Sequence, residues 1–197
     1  VLKCYCKGRG NVVYYRQRGE TESFAEEGRN RMGKIISFVN QKGGVGKTTS
    51  AVNVAACLGV LGYRTLLIDL DPQGNATTGV KIAKKNLKYT VCDLLTGNIN
   101  AADAVIQTEY DKLWVMPANG RLANTEFELY NGEEPVFVMR KALESLKTVF
   151  DYIIVDCPPS LGMLTVNSLT ASDGVVVPMQ CEFYALEGLS QLSKTIR

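Results

Sequence analysis

The 197-residue sequence has no histidine, and its six cysteines (Cys4, Cys6, Cys57, Cys92, Cys157 and Cys181) form no C-x-x-C pair. That leaves no recognisable zinc site, and reduced, mostly buried thiols are the simplest reading. No apolar run approaches the ~18 residues that span a bilayer, and the N-terminal VLKCYCKGRGNVVYYRQRG lacks the apolar centre of a signal peptide. The cytosol is the expected compartment. Internal repeats and low-complexity tracts are absent as well. A charge of one sign is lacking too: 22 basic residues face 20 acidic ones. The small surplus sits in residues 1–31, with seven Lys/Arg against four Asp/Glu, whereas residues 32–197 carry fifteen against sixteen. Net charge is therefore no argument for nucleic-acid binding by the larger part.

What is present is an ordinary globular composition, 46% hydrophobic and 21% charged, at a length that suits one core. Residues 1–31 have little apolar periodicity, and the character changes abruptly at MGKIISFVN. Codons for Glu26, Glu27 and Gly28 can also spell a purine-rich ribosome-binding sequence just ahead of Met32. Two domains of reading follow: 1–31 as a leader, disordered or not native, and 32–197 as the folded domain. A disordered basic tail is the alternative for 1–31.

From Met32 onward, strand-like runs alternate with helical ones. Strands are predicted at 35–40, 65–70, 113–116, 152–156 and 174–178, and helices at 47–61, 136–149, 164–171 and 185–195, with short helical pieces near 91–95 and 101–106. This alternation predicts an α/β fold: a mainly parallel central sheet with helices on both faces, in three layers.

One motif carries specific chemistry. NQKGGVGKTT, residues 40–49, follows a strand and opens a helix, the context a phosphate loop requires. Gly43, Gly44 and Gly46 let the backbone around Val45 curl so that N–H groups converge, and the helix N-terminus adds partial positive charge. Lys47 is placed for β- and γ-phosphates, the Thr48 hydroxyl for Mg²⁺, and Thr49 follows in the same turn. This is a P-loop NTPase pattern with one departure: Gln41 stands where the first glycine belongs, and a second lysine, Lys42, follows it. Two further strands end in carboxylates. LLIDLDPQGNAT carries Asp69 and Asp71, and DYIIVDCPPSLG carries Asp156 in the position of a Walker B aspartate. Strand ends of this kind also occur as plain capped turns.

Together with QCEFYALEGLSQL at 180–192, these segments closely resemble the deviant Walker A ATPases of the ParA/Soj chromosome- and plasmid-partitioning type. The resemblance implies an ATP- and Mg²⁺-dependent switch in which two subunits sandwich two nucleotides. Lys47 then acts within its own subunit, and Lys42 crosses to the nucleotide of the partner. Asp71 orients the attacking water, Asp69 lies closer to the metal, and Asp156 holds Mg²⁺. Gln73, Gly74 and Asn75 resemble a first switch loop, residues 156–160 a second, and Tyr184, Leu186 and Glu187 a dimer-facing segment. It also implies a ParB-type centromere-binding partner that stimulates slow hydrolysis, non-specific DNA binding at the nucleoid, and no membrane association. A membrane-cycling division-site ATPase of MinD type is the alternative. YNGEEPVF at 130–137 departs somewhat from the family pattern, and the family continues beyond Arg197; its strand order sets the missing strands beside GVVVPMQ at 174–180, which implies an uncovered sheet edge there. The lysines at 81, 84, 85 and 88 offer a phosphate-facing cluster or a solvated loop. An iron–sulphur reductase would need paired cysteines, and Cys157 directly after Asp156 is wrongly placed for one.

Overall fold

Short runs of β-branched and aliphatic residues, separated by glycine-bearing turns, build one mixed sheet in the computed structural model, which describes residues 3–5, 11–15 and 32–180 except Asn86 and Glu133. The strands are β1 (Lys3–Tyr5), β2 (Asn11–Tyr15), β3 (Lys34–Phe38), β4 (Thr65–Asp69), β5 (Ile106–Gln107), β6 (Leu113–Met116), β7 (Tyr152–Asp156) and β8 (Gly174–Met179). The helices are α1 (Lys47–Val60), α2 (Asn75–Gly79), α3 (Val91–Leu95), α4 (Leu122–Tyr130), α5 (Val138–Leu143) and α6 (Met163–Ala171). Spatial order in the sheet is β1-β2-β8-β3-β7-β4-β6-β5. From β8 to β6 every neighbouring pair is parallel, while β1, β2 and β5 add antiparallel edges.

The connections decide where a site can form. From β3 the chain crosses through α1 to β4, skipping over the position filled by β7; from β7 it crosses through α6 to β8, skipping β3. These crossovers lie on opposite faces. One face packs Phe38, Leu67, Val115, Ile154 and Val176 against Ala51 and Ala55 of α1, and the other packs Leu66, Ile68, Ile153 and Val155 against α3 to α6. Chain leaving β3 and β7 in opposite directions opens a crevice at their carboxyl ends. The three-layer P-loop architecture expected from the sequence is thus observed.

In α1 the buried residues are Lys47, Ala51, Ala55 and Gly59, one every four positions. Small side chains bring the helix close to the sheet, and at Gly59 a Cβ would lie 2.4 Å from the carbonyl of Asp111. Three expectations need correction. The predicted helix at 136–149 is α5 followed by a 3₁₀ turn over Glu144–Thr148, and the piece at 101–106 is a 3₁₀ turn over Ala101–Ala104 leading into β5. The edge of β8 is not bare, because β2 pairs with it from Asn11↔Met179 to Tyr15↔Val175, in a stretch expected to lack structure. An unpaired edge is a template for any strand-forming run, and NVVYY is one. The helix expected at 185–195 lies outside the described residues.

Met32 precedes β3, and between them Gly33 fits against the end of the 3₁₀ turn, its N–H donating to the Lys147 carbonyl at 2.7 Å. A Cβ there would meet the Phe150 carbonyl at 1.9 Å, backbone that cannot move aside cheaply. Gly33→Ala should therefore destabilise the fold by about 3 kcal/mol in urea unfolding. Gly120→Ala, with nothing near its Cβ, should leave the midpoint unchanged.

Candidate active site

The parallel register places Phe38, Asp156 and Asp69 side by side at the ends of β3, β7 and β4. Directly above runs the loop from Asn40 to Gly46. Its turn depends on left-handed backbone at Gly44 (φ 73) and Gly46 (φ 87), a region that side chains with a Cβ resist. Helix α1 then starts without a side-chain cap and without an acidic residue in its first turn. Its first amides and its dipole are left for an anion.

Lys47 sits on the first turn of α1, buried, with Nζ 3.0 Å from the carbonyl of Lys42. Burial lowers its pKa, opposed by the carboxylates of Asp156 and Asp71. Lys42 stands exposed on the outer rim of the same loop. The sequence order "two lysines five residues apart" has become one lysine facing in and one facing out.

The two strand-end carboxylates differ sharply. Asp69 is fully buried and well satisfied: Oδ2 accepts from the Thr77 amide and hydroxyl, both at 2.7 Å, and Oδ1 accepts from the Asp71 amide at 3.2 Å. Burial raises its pKa, and the Thr77 hydrogen bonds oppose the rise. These hydrogen bonds make Asp69 the anchor of the chain that follows β4. Asp156 is equally buried, yet neither of its oxygens has a hydrogen-bond partner among the described residues. Burial pushes its pKa up to about 7; the Thr48 hydroxyl lies near enough to counter part of this without hydrogen-bonding geometry, and Asp69 and Asp71 reinforce it.

Asp71 follows at the mouth of the crevice, 9% exposed, with Oδ1 accepting from the Gln73 amide at 2.9 Å. Gly74 turns the chain in left-handed conformation (φ 64), and α2 begins at once. The Lys84 ammonium donates to the Gln73 carbonyl at 2.7 Å from outside. Two other lysines of that segment are also engaged locally, Lys81 with Glu109 and Lys88 over the ring of Tyr89. Cys157 is buried against Ser168, its thiol pushed up to about 12 by burial. It is a core residue and no thiolate ligand.

A family model described as an AAA domain matches residues 33–197. The chain is 54% identical over 166 residues to the sporulation initiation inhibitor protein Soj of Bacillus subtilis, covering 84% of this chain and 66% of that protein. It is 47% identical over 192 residues to the chromosome partitioning protein ParA of Myxococcus xanthus, covering 98% of this chain and 65% of that protein. The chain belongs to the ParA/Soj family. It spans just under two thirds of the length of these two relatives. Among solved structures, it is similar to the cobyrinic acid a,c-diamide synthase of Mycobacterium smegmatis with bound ATP analog and magnesium. That match has a TM-score of 0.79 at 40% identity and covers 83% of this chain and 67% of that one. A plasmid partition protein of Borrelia burgdorferi bound to AMPPNP matches with a TM-score of 0.75 at 31% identity, over 84% and 69% of the two chains. Among the described residues no helix is long and apolar enough to cross a membrane.

Sequence reasoning missed three site residues of this ParA/Soj chain. Asn40, just past β3, holds the Lys42 amide and the Pro178 carbonyl, Gln180 past β8 reaches the Gly44 carbonyl, and Thr77 links two loops. Only Thr77 left a trace, as a buried threonine eight positions after Asp69 in α2. Its hydroxyl donates to Asp69 and accepts the Ala118 amide at 3.0 Å, joining the loop after β4 to the loop after β6. Tyr184, Leu186 and Glu187 lie outside the described residues. Thr77→Val keeps the shape but orphans the Ala118 amide and removes one donor from Asp69. It should cost about 2–3 kcal/mol in chemical unfolding with an unchanged m-value, and Thr77→Ser should recover most of that loss.

Proposed function

We propose that this chain is the nucleotide-binding part of an ATP-driven DNA-partitioning switch. The observation that carries the reading is the loop 40–46 folded over Asp156, with Lys47 turned inward and Lys42 outward. A loop with one lysine serves a monomer; the outward one has a purpose when a second subunit brings its own nucleotide. The relatives named for chromosome partitioning and the plasmid partition protein bound to AMPPNP support the same reading.

The residues fit a Mg²⁺–nucleotide complex. Asp156 is a buried carboxylate in need of a cation, and a Mg²⁺ that takes most of its ligands from phosphates and water asks for only one or two protein oxygens. Asp156 and the Thr48 hydroxyl are the residues to hold it. Mg²⁺ when bound neutralises charge on the β- and γ-phosphoryl oxygens. The amides from Gly43 through Thr49, with those of Val45, Gly46 and Thr48 between, wrap the phosphates, and Lys47 adds a point charge in a dry site. Asp71 stands at the mouth of the crevice, where it accepts a hydrogen bond from an attacking water and orients it. Asp69 anchors the loop carrying Asp71 instead of contacting the metal.

Lys42 completes the partner's site in an ATP-bound homodimer, the logic of an arginine finger supplied in trans. Slow hydrolysis stimulated by a ParB-type protein, non-specific DNA binding and a cytoplasmic, nucleoid-associated location complete the proposal.

Two substitutions separate the lysines. In the intact protein, Lys47→Ala should weaken MgADP binding to the monomer by about 2–3 kcal/mol, the loss of a charge-assisted contact. Lys42→Ala should bind MgADP normally, yet form no ATP-dependent dimer in sedimentation velocity; a normal dimer would remove the basis of the reading. Asp71→Ala should bind ATP and dimerise but stop turnover, because water orientation acts in the transition state.

A further inference from the structure

The backbone of Lys42 is held from both sides. Its N–H donates to Asn40 Oδ1 at 3.0 Å, and its carbonyl accepts from Lys47 Nζ at 3.0 Å. Asn40 is itself anchored in the sheet: its Nδ2 donates to the Pro178 carbonyl near the end of β8 at 2.8 Å, next to the Val39 amide bonded to the Val176 carbonyl at 3.0 Å. The end of β8 touches the loop once more, through Gln180 Nε2 and the Gly44 carbonyl at 3.3 Å.

These holds respond differently to a phosphate in the loop. An ammonium prefers phosphate oxygens to a neutral carbonyl, so Lys47 gives up or shares the Lys42 carbonyl when nucleotide binds. Asn40 faces β8 and keeps its partners. On the C-terminal side of Lys42, Gly43 and Gly44 have nothing within 4 Å of where a Cβ would be, Gly44 is left-handed, and the hold is the Gln180 contact to the Gly44 carbonyl, two residues from Lys42. Asn40 is the side chain that holds the Lys42 amide itself, next to the Cα from which the Lys42 side chain leaves the loop.

We propose that Asn40 is a positioning residue for Lys42. By tying the Lys42 amide to the end of β8, it aims the ammonium at the second subunit's nucleotide and keeps that aim while Lys47 is engaged with phosphate. The proposal rests on the reading that Lys42 acts in trans. It also joins the phosphate loop to the strand from which residues 181–197 continue.

The test uses Asn40→Ala, Asn40→Ser, Lys42→Ala and the Asn40→Ala/Lys42→Ala pair in the intact protein. Three quantities are measured: the melting temperature without nucleotide, MgADP affinity, and the dimer dissociation constant with a non-hydrolysable ATP analogue. In a two-fold dimer the loss of aim counts at both sites, so Asn40→Ala should weaken the dimer at least about tenfold. Its MgADP affinity should fall several-fold less than the dimer does, because Lys47 and the loop amides that meet the phosphates remain, and its melting temperature should stay close to that of the parent. Asn40→Ser, whose hydroxyl can still accept the Lys42 amide, should recover part of the dimer, and Asn40→Ala should add nothing in the Lys42→Ala background. A wild-type dimer constant for Asn40→Ala beside a failed Lys42→Ala overturns this inference and leaves the proposed function standing. An equal loss of MgADP affinity and dimer makes Asn40 a general brace of the loop and also overturns it. Normal dimerisation of Lys42→Ala overturns both.

Discussion

Burying Asp156 at the end of β7 with no hydrogen-bond partner for either oxygen among the described residues costs free energy that a cation bound beside it recovers. The rest of the site is arranged around that deficit. Lys47 lies near enough to feel the carboxylate, but its ammonium is committed to the carbonyl of Lys42. Asp69, one strand away in the same register, shows what a satisfied carboxylate looks like in this environment: three donors, all from the loop after β4. Two aspartates at matched depth thus have opposite parts, one fixing a loop and one kept available.

Rigid and permissive segments alternate around this centre. The strands are pinned by register and by apolar packing on both faces, whereas the phosphate loop takes its shape from glycines and is tied to the end of β8 through Asn40, just past β3, and Gln180. The loop after β4 is held through Asp69 and Thr77, and Thr77 also reaches the loop after β6. A change at the phosphates therefore has two physical routes outward, through Asn40 to β8 and through Asp71 and Thr77 to α2. Both routes consist of hydrogen bonds; one ends at β8, inside the sheet, and the other in α2.

Much of this was legible in the sequence because the signals were local. The strands at 113–116 and 152–156 and the helix at 91–95 were placed to the residue, the last because Thr90 and Asp93 form a capping box. The phosphate loop was legible because strand, glycines, lysine and helix coincide. Helix α4 was not, since its buried stripe is Leu122, Thr125 and Leu129 while Phe127 and Tyr130 are exposed, which inverts the apolar pattern. The partners of Asp69 were not legible for a different reason. A carboxylate at a strand end reads the same whether donors eight residues later satisfy it or not, and only the fold brings Thr77 to it. Asn40 was hidden likewise, because its partner Pro178 is 138 residues away.

The claim at the centre is that Asp156 is a carboxylate reserved for a cation. Its pKa of about 7 in the folded protein lies above the ordinary 3.8, so between these values the native state holds a proton that the unfolded chain has released. Stability without ligand from this group is present at low pH and falls as pH rises toward about 7. The direct measurement is unfolding stability of the parent and Asp156→Asn across pH 5–8, without ligand and with saturating MgADP. The account predicts that Asp156→Asn is the more stable of the two near pH 8 without ligand, flattens the pH profile, and loses most of the MgADP-dependent stabilisation. An Asp156→Asn protein that is less stable at pH 8 without ligand, and that MgADP stabilises as much as the parent, would contradict it.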